Sequence, residues 1–363
     1  MTTNVISDMD DADDMPESPT LRGLLVFCQE RILPAFRKAD ANAVRFQENH
    51  RRLAQSVSWL GAAATILATF QLFVGAVLDR AGPAKPEWPR WVAGVWDLLA
   101  AHVSGIEVSL GVIELTVVLI MFSLIIHGLR RASQQRHLLE RFKAERLRLL
   151  KFGYLLNPDV WSGDDALVQR AKEELPRRVD EIVSAMRPSL DRWVSEGAVP
   201  RVWPGPKNEL SGPDLVSLVG YYRRKRLEYQ MKYLAWATKR SRERDEETRV
   251  PVAVLFFGSV VFVLIHVIVE GLDAKILSQF FVLLAAALPA LVTPMRLVRS
   301  AYESARNASR FEASYNTLEG LADRLSKAEN SSAVFRELGF CEQVLEADHR
   351  EWMRLMAEAE WFG

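Results

Sequence analysis

The chain has 363 residues, 49% of them hydrophobic, with 46 Lys and Arg against 46 Asp and Glu. That composition excludes a wholly disordered chain, and the balanced charge gives no footing for nucleic-acid binding through net charge. Cys28 and Cys341 are too few and too far apart for a disulfide framework or a Cys-rich zinc site.

The neutral total hides a segregated chain. Residues 1–18 hold Asp8, Asp10, Asp11, Asp13, Asp14 and Glu17 and no Lys or Arg, which leaves 46 basic against 40 acidic residues in the remainder. Such a stretch predicts a disordered acidic tail. It has neither the basic start nor the apolar run of a signal peptide, so the beginning of the chain is expected in the compartment of synthesis. A first helical unit follows over 19–155, containing apolar stretches at about 59–78 and 106–127. Residues 156–208 read as a cytoplasmic linker region of two or three short helices, interrupted at Pro158, Pro176 and Pro188 and ended by the Pro/Gly-rich "VPRVWPGPKN". A second unit spans 209–330, with apolar stretches at about 250–269 and 276–295, and 331–363 reads as a C-terminal cytoplasmic helix.

Each stretch is long enough to cross a hydrocarbon core of about 30 Å, and only a helix satisfies its backbone there. The fold class expected is an all-α membrane protein, with four transmembrane helices as two hairpins carrying long cytoplasmic helical extensions. Lys and Arg crowd the outer flanks of each pair, for example Arg51 and Arg52 before the first span and Arg130, Arg131 and Arg136 after the second. The loops inside the pairs hold few, which places both chain ends and the middle region in the cytoplasm. Trp88, Trp91 and Trp96 in the first loop suit an interfacial segment on the outer surface, or a small folded cap.

The two units share a layout of charged helix, span, loop, span and charged helix, with Arg141-Phe142 answering Arg310-Phe311. An internal duplication is one reading, and convergent hairpins the other. Leu215, Leu218, Tyr222, Tyr229, Tyr233 and Trp236 follow one helix face, as do Phe311, Tyr315, Leu318, Ala322 and Leu325, and again Leu338, Cys341, Leu345, Trp352 and Leu355. These stripes predict packing seams of a cytoplasmic bundle.

Glu114 falls near the middle of the second span, where an ionised carboxylate costs at least about 2.5 kcal/mol. With Glu107 and Gly111 on the same face it is a candidate lining for a cation path. A packing hydrogen bond from Glu114 to Gln71, Thr69 or Thr65, and a proton relay, are the alternatives. His127, His266 and Pro289 are candidate gate or hinge positions near span ends and within the fourth span, although anchoring and packing also account for them. No phosphate loop, dinucleotide fingerprint, zinc-protease motif or nucleophile elbow occurs, so no enzyme and no cofactor or metal is expected.

The helix entering the third span, "YYRRKRLEYQMKYLAWATKRSRERDEETRVPVAVLFFGSVVFVLI", the helix leaving the fourth, "RSAYESARNASRFEASYNTLEGLADRL", and the ending "EADHREWMRLMAEAEWF" resemble the SLATT proteins. These are two-transmembrane effector modules that accompany nucleotide-second-messenger and SLOG-domain systems in bacteria. The resemblance is strongest over 209–363 and fainter over 30–155, and this chain departs from the family in carrying two hairpins and no sensor domain. It implies an inner-membrane effector in antiphage or other biological conflict. Such an effector oligomerises in the lipid bilayer and permeabilises it when triggered by a sensor protein or nucleotide-signalling enzyme encoded nearby. A non-conducting scaffold recruiting a cytoplasmic partner is the competing reading. A transporter is disfavoured by the single central charge.

Overall fold

The computed structural model describes residues 8–358, apart from 13, 82–89, 132, 198–204, 207, 208, 211, 273, 274 and 303. Among the described residues the protein is all-helical. Ten α-helices run in order: α1 (Pro19–Ala81), α2 (Arg90–Arg131), α3 (Ser133–Leu155), α4 (Asp165–Val183), α5 (Arg187–Glu196), α6 (Gly212–Tyr222), α7 (Tyr229–Gly271), α8 (Lys275–Tyr302), α9 (Ser304–Ser326) and α10 (Ser331–Glu358). A 3₁₀ turn (Pro158–Trp161) precedes α4, and a π-helical turn (Arg223–Glu228) joins α6 to α7 without a break.

Four helices are long and apolar enough to cross a membrane, and the stretches expected at 59–78, 106–127, 250–269 and 276–295 fall in α1, α2, α7 and α8. The 63 residues of α1 extend about 95 Å at about 1.5 Å per residue. Its second half is apolar and its first half enters a bundle. The 60 residues of α6, the π turn and α7 repeat this plan. α3 returns along α1 and α9 along α7, while α10 lies on α9 and α3.

In the apolar region α2 packs on α1, α7 on α8, and α1 also on α8. Gly61 lies in contact with Met121 of α2, and on α7 the absent side chain of Gly258 permits a close approach, since a Cβ there would lie 3.1 Å from Leu288 Cδ1. Ser259 Oγ donates to the carbonyl of Ala285 (2.7 Å), Phe262 stacks on Phe281, and Phe73 of α1 meets Phe280 of α8 edge-on. The most apolar stretches of α2 and α7 bury none of their residues within the chain.

The bundle holds the main core. Leu25 and Phe36 of α1, Leu147 and Phe152 of α3, Tyr222 of α6, Leu318 of α9 and Leu338 of α10 are fully enclosed there, each contributing about 1.5–3 kcal/mol by burial. A smaller cluster joins Phe142, Trp193 and Met353 beneath α5. The expected seams on α9 and α10 are present, with Leu318, Leu325, Leu338, Cys341 and Leu355 buried and Phe311, Tyr315 and Leu345 packed against them.

Four local expectations give way. Residues 8–12 and 14–18 are packed rather than disordered, because carboxylates from this segment meet cations that composition alone does not pair with them. Pro176 lies inside α4 instead of ending it, since Ala171, Leu175, Val179 and Ile182 bury one continuous face across it. The backbone of 90–105 continues the helix of the second span instead of forming a separate interfacial segment; Trp88 and the side chains of Trp91 and Trp96 lie outside the described residues. On α7, Tyr233 and Trp236 are about 40% exposed, whereas Leu234 and Ala237 are buried. The π turn accounts for this last difference: one extra residue moves the buried stripe forward by one position.

Candidate functional site

The six residues singled out from sequence are spread over three helices. Glu107, Gly111, Glu114 and His127 are on α2, His266 on α7 and Pro289 on α8. The side chain of Glu107 lies outside the described residues. Glu114 is half-buried and Gly111 opens onto free space, with nothing near a Cβ built there. Around them Val112, Ile113, Leu115 and Leu119 are each about half exposed or more.

Two of the three α1 residues offered as partners for Glu114 bond within their own helix. Thr65 Oγ1 donates to Gly61 O (2.9 Å) and Thr69 Oγ1 to Thr65 O (2.7 Å). Gln71 Nε2 is buried with no partner. Glu114 therefore stands on an apolar surface with no hydrogen bond or ion pair to another described residue.

The two histidines differ. His127 is exposed near the end of α2. His266 is anchored: its Nδ1 meets Ser278 at Oγ (2.7 Å) and at the carbonyl oxygen (3.1 Å), and the Ser278 hydroxyl donates to Glu270. This polar cluster fastens the end of α7 to the start of α8. Its sequence signal is a Glu and a Ser flanking the short turn, at Glu270 and Ser278. Pro289 is exposed on α8, which continues through both it and Pro294.

Sequence reasoning missed the most concentrated chemistry, which lies in the bundle. Arg148 and Lys151 of α3 and Arg226 of the π turn are buried, and each meets a carboxylate from the acidic segment or from α10. Arg148 Nε lies 2.9 Å from Asp8 Oδ2, and its Nη1 also meets Glu145 at 2.6 Å. Lys151 Nζ donates to the carbonyls of Asp8 (2.8 Å) and Met9 (3.2 Å) and to Asp11 Oδ1 (3.0 Å). Arg226 forms a two-point pair with Glu342 (Nε–Oε1 2.9 Å, Nη2–Oε2 2.7 Å) and reaches Asp8 at 3.5 Å. Tyr221 donates to Asp11 (2.7 Å) and Tyr222 to Glu342 (2.5 Å).

Burial and pairing compete here. Burial would lower the pKa values of Arg148 and Arg226, but the attraction of Asp8 and Glu145 for the first, and of Glu342 for the second, outweighs it and raises both. For Lys151 burial wins over Asp11, and the value is lowered. Burial, then Asp11, pushes Tyr221 well above the usual phenol range.

Beside this core a cavity of about 420 Å³ opens between α1, α3, α7, α9 and α10, with Arg141, His137, Tyr233, Asp348 and His349 among its walls. Its cations are neutralised from within: Arg141 meets Asp40 (3.1 Å) and Glu145 (2.7 Å), and Arg310 meets Asp348 (3.6 Å). Burial holds His137 and His349 neutral, lowering them to about 4 and about 3. Among the described residues no group of three or more His, Cys, Asp or Glu is placed to hold a metal. The arrangement stores and balances charge. Compared with known proteins, the chain matches no family model, no curated protein and no solved structure.

Proposed function

We propose that this chain is a bacterial inner-membrane effector of a conflict or antiphage system. Its four apolar helices insert as two hairpins with the bundle and both chain ends in the cytoplasm, and a partner or nucleotide signal makes copies associate and permeabilise the bilayer. The observation that carries the reading is Glu114, a half-buried carboxylate without a partner among the described residues, on a helix whose most apolar stretch buries none of its residues within the chain. In lipid such a group costs about 2.5 kcal/mol or more unless it faces water or another protein surface. Association of copies through the open faces of α2 and α7 supplies both, because four spans in one subunit enclose little space. The place in conflict rests on the resemblance to SLATT proteins, and the polar bundle is the part suited to receiving a signal.

The test is dye entry into cells that express the protein with its genomic neighbours, for wild type, Glu114→Gln and Glu114→Ala. Entry under conditions that trigger toxicity, reduced in both variants, is the expected result. Toxicity without dye entry sinks the conducting reading and favours the scaffold. For that scaffold, Met186 and Val216, each more than 70% exposed, offer apolar contacts on the bundle.

A further inference from the structure

The acidic segment closes the ionic core from one side, and it touches the π turn as well as α1, α3 and α6. Three consecutive residues of that turn hold it. Arg224 pairs with Asp14 (3.0 Å), Lys225 donates to the carbonyl of Asp10 (3.0 Å), and Arg226 faces Asp8 (3.5 Å). The same segment grips α3 through Arg148 and Lys151, and α1 through the pair of Asp10 with Arg37 (2.7 Å). Asp8 and Asp11 are fully buried, so their pairs are shielded from solvent ions. A π turn carries one residue more than the α-helix around it and is maintained where surrounding contacts hold it. Here those contacts come from a segment more than 200 residues away in sequence, at Arg224, Lys225 and Arg226, and from Glu342 of α10, which pairs with Arg226 at two points.

We propose that the segment carrying Asp8, Asp10, Asp11 and Asp14 is an intrachain latch that keeps the π turn wound; when it withdraws, the turn rewinds and α7 rotates below it. Rewinding one residue into α-helix turns the remainder of α7 by about 100° and advances it by about 1.5 Å. Ser259 then leaves Ala285, and a different face of α7 meets α8. Withdrawal also strips Lys151 of its bonds to Asp8, Met9 and Asp11, a cost that keeps the latch seated at rest. As a control on permeabilisation the latch rests on the effector reading; as a structural device it does not.

The experiment joins Ser259→Cys with Ala285→Cys in the full chain in membranes and measures disulfide cross-linking between α7 and α8. Cys28 and Cys341 are buried, and burial pushes their thiols up to about 12, so they do not compete. The rotation carries position 259 beyond the Cβ separation of about 3.5–4.5 Å that a disulfide needs. Cross-linking is expected in the parent and lost in Asp8→Asn/Asp11→Asn. A peptide of residues 6–16, added in trans to the double variant, is expected to restore it, and a scrambled peptide of equal charge is not. Persistent cross-linking in the double variant, with the segment shown by proteolysis to be released, overturns the latch. Loss that the peptide cannot restore also overturns it, because the substitutions have then merely unfolded the bundle. Dye entry is read in parallel: cross-linking lost without dye entry refutes the effector reading and leaves the latch standing.

Discussion

Glu342→Ala is expected to be severely destabilising, and the geometry of Arg226 sets the size. The two side chains are 1% and 3% exposed and bonded at two points, at 2.9 and 2.7 Å. Removing the carboxylate leaves the guanidinium over the Phe152 ring, 4.6 Å from its centroid, with Asp8 at 3.5 Å the one carboxylate left beside it among the described residues. Breaking a buried pair from one side costs about 3–5 kcal/mol. Tyr222 loses its bond to Glu342 but keeps the carbonyl of Leu338 at 3.3 Å, so its contribution stays near 1 kcal/mol. The total is about 4–6 kcal/mol. Replacing both partners, as Arg226→Met/Glu342→Leu, removes the charge together with its need for a partner and is expected within about 2 kcal/mol of wild type. Urea unfolding of detergent-solubilised protein, followed by tryptophan fluorescence, measures both. A single variant within about 1 kcal/mol of wild type, or a double variant as unstable as the single, refutes this account of the core.

Stability is also expected to fall with acid through His137. Its folded value near 4 lies below the ordinary 6.5, so between those limits the unfolded chain binds more protons. Stability is therefore complete above about pH 6.5 and declines below it, by up to about 1.4 kcal/mol per pH unit. His137→Asn, whose amide overlays Nδ1 and retains a donor for the carbonyl of Ala43 now 2.9 Å away, should reduce that decline in unfolding curves at pH 7, 6 and 5, with His349, also held neutral by burial, keeping its own share. An unchanged slope assigns the acid sensitivity elsewhere. At the α1–α2 contact, a Cβ on Gly128 would sit 2.4 Å from Leu53 Cδ2, so Gly128→Ala should cost about 1–3 kcal/mol of overpacking. Gly128→Ala/Leu53→Ala should recover part of it in thermal unfolding; no recovery places the strain elsewhere.

What could be read from the sequence depended on how local the signal was. The four apolar stretches and the seams through Leu318 and Leu338 are periodic within one helix, so they were legible. The acidic segment was not, because disorder is inferred from nearby composition, whereas Asp8 and Asp11 find cations 140 or more residues away. Tyr233 and Trp236 were placed on the buried stripe because a uniform period of 3.6 was carried through 223–228, where the π turn adds a residue. The packing of α1 on α8 joins two stretches that no local pattern connects. Glu114 was legible as an oddity of charge, while the ionic core was hidden because Arg148, Lys151 and Arg226 look like ordinary surface cations of amphipathic helices.

The ionic core also sets a schedule for making the protein. Asp8 leaves the ribosome 218 residues ahead of Arg226, a wait of about 10–40 s at about 5–20 residues per second. Glu342, which completes the pair, comes 116 residues later still, after all four apolar helices have been synthesised. The two halves of the chain therefore cannot finish folding one after the other. The nascent protein carries an open charged centre almost to the end of translation, and a ribosome stalled before α10 would hold Arg226 beside Asp8 without Glu342.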